Sequence, residues 1–91
     1  MLMTDIDDID LKILGAISDL KVSYPNADKI KKTINLTPDD LEARLGVLEA
    51  KGYIKTLKGT FVPKVSLPKG IYAAGLTDSG NLIVIKSKSL Q

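Results

Sequence analysis

The first apolar pattern along the chain has helical spacing. Apolar residues recur every three or four positions between residues 6 and 20, which is the stripe of an amphipathic helix. Either Asp7 or Asp8 can cap this helix, and acidic residues in a first turn suit the positive end of the helix dipole. The pattern therefore predicts a helix near residues 7–20, with Ile9, Ile13 and Ile17 in the core.

A short second helix follows a break in the first stripe. The segment Val22–Pro25 interrupts the apolar spacing, and Asn26 is then a favourable N-cap. The sequence ADKIKKTI predicts a helix near residues 26–34 that turns Ile30 inward and leaves its lysines in solvent.

The third helix has marked signals at both ends. Thr37 is a favourable N-cap, Pro38 suits the first helical position, and Gly52 accepts the positive φ that ends many helices. These signals predict a helix near residues 38–51. Its core stripe is expected to consist of Leu41, Leu45 and Leu48.

Beyond Gly52 the pattern becomes typical of strands. The segments YIKTLKG and GIYAAGLT alternate like strands, and prolines and glycines punctuate the stretch between them. We therefore predict an α+β fold, a winged helix-turn-helix in which three helices precede an antiparallel wing of two or three strands. One domain would span residues 1–91, with the helix-turn-helix over 26–52 and the wing over 53–77. Residues 82–90 form a strand or a helix, and their β-branched residues after a turn-like DSGN favour a third strand.

The sequence resembles known DNA-binding domains. DIDDIDLKIL followed by NLTPDDLEARLGVLEAKGYI is similar to the winged helix of leucine-responsive (feast/famine) transcription regulators, and to related multiple-antibiotic-resistance-type winged helices. The resemblance covers Asp5–Ile54. It implies a small regulator-like protein that binds double-stranded DNA and acts as a homodimer. Feast/famine members usually carry a second, ligand-sensing domain, for which this sequence is too short, so their small-molecule response is not expected here.

The outward face of the third helix departs from that family. Where family members often carry arginines, this sequence has Gly46, Val47 and Ala50. Direct readout of bases requires Arg, Lys, Asn or Gln, and Asp39 and Asp40 at the leading edge repel phosphate. Glycine inside a helix costs about 1 kcal/mol relative to alanine. Two explanations remain open, the close approach of another backbone or of DNA, and a weakly packed surface helix.

Charge is distributed unevenly along the chain. Residues 1–50 hold six Lys/Arg against ten Asp/Glu, whereas residues 51–91 hold seven lysines against one aspartate. The basic half would attract a polyanion, and contacts from basic side chains to phosphate give binding that depends strongly on salt. The predicted DNA-binding residues are Lys29, Lys31, Lys32, Thr37, Arg44, Lys55, Lys58, Lys64 and Lys69.

Composition excludes several classes of function. The sequence contains no cysteine and no histidine, and no serine lies in a recognisable nucleophile motif, so we expect no enzyme activity. We expect no cofactor and no metal, because the aspartates of residues 5–10 lack the glycine and glutamate of a calcium loop. No apolar run is long enough to cross a membrane, and the absence of cysteine and of a signal peptide predicts a cytoplasmic protein. The rival hypothesis is a winged helix that binds a protein partner through its third helix.

Overall fold

The chain forms a helical core followed by a hairpin and a last helix. A computed structural model describes residues 6–59 and 67–89, with the side chains of residues 6–59 and 67–87. Its elements are α1 (Asp8–Asp19), α2 (Ala27–Thr33), α3 (Pro38–Ala50), β1 (Ile54–Lys58), β2 (Ile71–Leu76) and α4 (Asp78–Ser89). Three helices thus precede an antiparallel β1–β2 hairpin, which confirms the predicted α+β winged helix. Within the described residues, no helix has the length and apolar character needed to cross a bilayer.

The first three helices begin where the sequence predicted. The side chain of Asp7 accepts a hydrogen bond from the amide of Asp10 at 2.8 Å, and that of Asn26 accepts one from Lys29 at 2.8 Å. Thr37 accepts in the same way from the amide of Asp40 at 3.1 Å. Each bond satisfies an amide that has no partner inside its helix, so local chemistry is enough to fix these starts.

The core contains the predicted residues with one exception. Buried side chains from all four helices and both strands form one cluster, which includes Ile13, Ile17, Ile30, Leu41, Leu45 and Leu48. The prediction for Ile9 is wrong, because this residue is 36% exposed while its neighbour Asp10 is only 6% exposed. The inward stripe of α1 therefore begins at an aspartate and passes through Leu14, which is fully buried.

The segment before α2 also supports the sheet. The amide of Ala74 in β2 donates to the carbonyl of Pro25 at 3.1 Å, and Asn26 forms an isolated bridge with Ala73. A β-carbon on Gly75 would overlap the carbonyl oxygen of Ser23, so glycine is required where these two backbones meet. The sequence indicated only a break here, whereas this break fixes the hairpin against the start of α2.

The last element is a helix, so the preference for a third strand is wrong. Thr77 caps α4, because its hydroxyl accepts from the amide of Gly80 at 3.1 Å and donates to the carbonyl of Gly52 at 2.6 Å. The residues that resembled a turn, Asp78 to Asn81, are the first turn of this helix. α4 packs on α1 and β2 and buries Ile83 and Val84. Tertiary packing has overridden the strand propensity of its β-branched residues.

Candidate nucleic-acid interface

The outward face of α3 is the surface that the sequence predicted. Burial of Leu41, Leu45 and Leu48 fixes the rotation of the helix about its axis. The exposed residues of α3 consequently include Asp39, Asp40, Ala43, Gly46, Val47 and Ala50. Val47 is the largest apolar side chain among these and is 48% exposed. None of these side chains can donate a forked pair of hydrogen bonds to a base.

A groove separates this face from the wing. It is an open depression of about 600 Å³. The opposite side includes Lys58, Lys69 and Ile71. The α3 wall is formed by Asp39, Glu42, Ala43, Gly46, Val47 and Ala50. Two of the predicted DNA-binding lysines are thus placed beside the exposed face of α3.

Glu42 lies on the groove side of α3, but its carboxylate is used inside the protein. It is 6% exposed, and its two carboxylate oxygens accept the amide N–H of Lys69 at 2.8 and 3.0 Å. A carboxylate used in this way anchors the backbone just before β2. Glu42 therefore positions the wing.

A second glutamate of α3 anchors the other strand. Glu49 accepts from the amide of Thr56 at 3.1 Å and from its hydroxyl at 2.9 Å, and it lies 4.0 Å from the ammonium of Lys58. Residues seven apart lie on one face of a helix, so Glu42 and Glu49 together hold both strands of the hairpin. This pair was not predicted from the sequence, although a spacing of seven residues places both glutamates on one face of α3.

Arg44 forms ion pairs with two carboxylates at a partly exposed site. Its guanidinium Nη1 lies 3.0 Å from Asp7 and 3.1 Å from Asp10, and it therefore joins α3 to the first turn of α1. This pairing explains why an aspartate occupies an inward position of α1, since a buried carboxylate requires a partner. The hydrogen bonds that Arg44 donates to these two carboxylates raise its pKa above the usual range of a guanidinium.

The other predicted DNA-binding residues that the structure describes do not line the groove. On α2, Lys29 is exposed, Lys31 is partly buried, and Lys32 forms an ion pair with Asp28 at 3.1 Å. Thr37 is exposed while capping α3, and Lys55 is exposed on β1. Lys64 lies outside the described residues. Lys58 and Lys69 are therefore the predicted residues that the structure brings together with the face of α3.

The ion pair between Asp7 and Arg44 predicts that the pKa of Asp7 changes when Arg44 is replaced. The amide of Asp10, followed by the hydrogen bond from Arg44, lowers the pKa of the Asp7 carboxyl below 3.8. We expect Arg44→Ala to raise this pKa but to leave it below 3.8, because the amide bond remains. A carbon-13 NMR titration of the carboxyl group measures the change. Lys12→Ala is the control, because it removes a positive charge from α1 without removing a hydrogen-bond partner of Asp7. An equal shift of the Asp7 pKa in that variant would contradict a specific role of Arg44.

The lowered pKa of Asp7 also gives the sign of the pH dependence of folding stability. The folded state binds a proton at Asp7 less readily than the unfolded state does, since the folded pKa is the lower one. Its contribution to stability is therefore present above pH 3.8 and is lost as the pH falls through the folded-state pKa. Denaturation at a series of pH values should show a smaller loss over this range in Arg44→Ala.

The comparisons with known proteins identify similar structures. No protein-family model and no curated protein matches the sequence. Among solved structures, BpsR of Bordetella bronchiseptica, whose DNA binding is regulated by 6-hydroxynicotinic acid, is similar with a TM-score of 0.76 and 11% identity. The reduced form of MarR from E. coli has a TM-score of 0.74 and 24% identity. ZitR of Lactococcus lactis, a zinc-responsive MarR family member, has a TM-score of 0.67 and 13% identity.

These similarities establish the fold. They cover 98%, 96% and 92% of this chain, so they include the helices, the hairpin and α4 together. The chain in turn spans 61%, 58% and 52% of the lengths of the three proteins. The fold therefore resembles that of MarR-type winged helices, and the resemblance to leucine-responsive regulators stays an expectation from sequence.

Proposed function

We propose that this protein is a winged-helix DNA-binding protein of the transcription-regulator type, which holds double-stranded DNA mainly by its phosphates. The observation that carries the proposal is the groove beside α3, because Lys58 and Lys69 stand there next to a helix face without forked donors. Such a surface supplies affinity through charge and little through hydrogen bonds to bases. The MarR-type fold and the DNA binding of BpsR support the proposal.

The phosphate contacts are assigned to lysines of the wing and of α2. The wing contributes Lys55 and Lys58 on β1 and Lys69 just before β2. Lys64 belongs to the segment between the two strands. The pair between Lys58 and Glu49 does not oppose this role, since the Lys58 side chain is 60% exposed and surface ion pairs contribute little. On α2, Lys29, Lys31 and Lys32 would contact the neighbouring backbone, with Thr37 beside them. Arg44 is left out, because contact with DNA would require it to leave two carboxylates.

A protein-binding module is the second candidate function. The observation that favours it is the exposed face of α3, which carries an apolar Val47 behind the acidic Asp39 and Asp40. An apolar surface with an acidic edge suits a partner with basic groups around an apolar anchor. The two candidates differ in one outcome, because the protein-binding module would not bind duplex DNA at any salt concentration.

The salt dependence of DNA binding tests the phosphate contacts. We expect Lys69→Gln to lower the slope of log affinity against log salt by about one unit, with a similar loss on unrelated duplexes. The substitution retains the backbone N–H that Glu42 binds, so the wing keeps its anchor. Fluorescence anisotropy on two unrelated duplexes across a salt series provides the measurement. Lys12→Gln on α1 is the control, and an equal effect there would assign the change to net charge alone.

Removal of the acidic edge of α3 should strengthen binding. Replacing Asp39 and Asp40 together with Asn removes two charges that repel phosphate, whereas neither side chain caps the helix. The cost in stability should stay below about 1 kcal/mol for each, because only an interaction with the helix dipole is lost. Loss of binding to one duplex alone would instead mean that these carboxylates accept hydrogen bonds from particular bases. If the parent binds neither duplex, the protein-binding module replaces this proposal.

A homodimer remains part of the proposal. The resemblance from the sequence implied it, and α1 and α4 pack together with Ile9, Leu82 and Ile85 exposed on them. Exposed apolar side chains on neighbouring helices are suitable for contact with a second copy. Sedimentation of the purified chain at several concentrations decides between monomer and dimer.

A further inference from the structure

We propose that the α3 face gives this protein a preference for thymine, by packing Val47 and Ala43 against thymine C5-methyl groups in the major groove. The inference rests on the proposed DNA binding and names the base that the site would favour. It concerns a contribution to specificity, while the lysines continue to supply most of the affinity.

The chemistry of the base edges narrows the choice to thymine. In the major groove, guanine, adenine and cytosine present donors and acceptors, whereas thymine also presents a methyl group. Val47 and Ala43 have no polar side-chain atom, so the feature they can recognise is this methyl group. A polar base edge buried against them would lose hydrogen bonds to water without replacement.

The geometry presents these two side chains as a ridge. Ala43 and Val47 line the groove beside the wing, and they also line a second depression, of about 570 Å³, on their other side. A pair of residues shared by two depressions projects between them, and a spacing of four residues keeps the pair on one face of α3. The 48% exposure of Val47 agrees with this placement, because half of a large apolar side chain remains available for contact.

Charge complementarity commits the ridge to DNA as its occupant. Lys58 and Lys69 lie across the groove from the ridge, and the exposed carboxylate that also lines the groove is Asp39, since Glu42 is buried against the amide of Lys69. The exposed charged side chains of the groove are therefore two lysines and one aspartate, which favours an anionic occupant. The major groove combines anionic rims with methyl groups on its floor, which matches cations beside an apolar ridge. Gly46 and Ala50 add room for close approach. The fold itself does not require glycine at position 46, since an added β-carbon would meet no atom within 4 Å.

Replacement of thymine by uracil tests the inference, because it removes the methyl group and keeps every hydrogen-bonding group. Anisotropy is measured with a mixed-sequence duplex and with the same duplex containing uracil at each thymine. Burial of one methyl group corresponds to about a fourfold change in affinity. We expect the parent protein to bind the thymine duplex at least about fourfold more tightly. Equal affinity for the two duplexes would overturn the inference and leave the proposed function standing.

Two variants locate the preference. Val47→Ala should bring the affinity ratio of the two duplexes towards one, since it removes the methyl groups that make the contact. Val22→Ala is the matched control, because Val22 is 56% exposed in the segment between α1 and α2 and does not line the groove. An unchanged ratio in Val47→Ala would overturn the assignment to the ridge. Absence of binding to either duplex by the parent would overturn both the inference and the proposed function.

Discussion

Leu45→Ala is expected to lower the free energy of unfolding by about 2–5 kcal/mol, which is a large part of the stability of a small domain. Leu45 is fully buried in the central cluster. Truncation removes apolar burial and leaves a cavity among side chains that cannot fully close over it. Urea denaturation followed by circular dichroism measures the change, provided that the slope of the transition stays constant.

Val47→Ala is the matched control for Leu45→Ala. The two residues lie on the same helix, but Val47 is on its exposed side, so truncation should change stability by less than about 0.5 kcal/mol. A decrease in the free energy of unfolding of less than about 1 kcal/mol in Leu45→Ala would contradict the packing of α3, since truncation of a fully buried leucine normally costs about 2–5 kcal/mol. Equal losses in the two variants would mean that both faces of α3 are covered.

Gly80→Ala is expected to destabilise the protein by about 1–3 kcal/mol, although alanine is normally the better helix former. A β-carbon at position 80 would overlap the carbonyl oxygen of Tyr53, which also accepts the amide of Thr77 at 3.1 Å. The clash involves backbone, so no flexible side chain can move aside. Relief would require α4 to shift away from the α3–β1 turn and to lose the hydrogen bond between Thr77 and Gly52.

Gly46→Ala gives the opposite expectation at a second helical glycine. An added β-carbon there meets no atom within 4 Å, so the gain in helix propensity of about 0.5–1 kcal/mol should appear in full. Thermal unfolding should therefore show a lower midpoint for Gly80→Ala and a higher midpoint for Gly46→Ala than for the parent protein. Stabilisation by both substitutions would mean that α4 does not approach Tyr53 as closely as the structure shows.

The sequence by itself determined the helical half of this protein. Asp7, Asn26 and Thr37 are caps whose partners lie three residues away, so their hydrogen bonds depend on nothing distant in the chain. The spacing of Leu41, Leu45 and Leu48 fixed which face of α3 is buried, and therefore which residues are exposed beside the wing. Both strands of the hairpin were also predicted, since turn-forming residues separate two segments of alternating pattern.

Partners distant in sequence decided the remainder. The inward position of Asp10 depends on Arg44, which is 34 residues away, and the burial of Glu42 depends on the backbone of Lys69. α4 is a helix because Thr77 meets Gly52 and because Ile83 and Val84 are buried in the core, although their local propensity favours a strand. Local patterns specify elements whose stabilising contacts lie within a few residues. The buried carboxylates and α4 are instead stabilised by groups that are distant in sequence and meet only in the folded chain. Their positions could therefore be seen only in the tertiary structure.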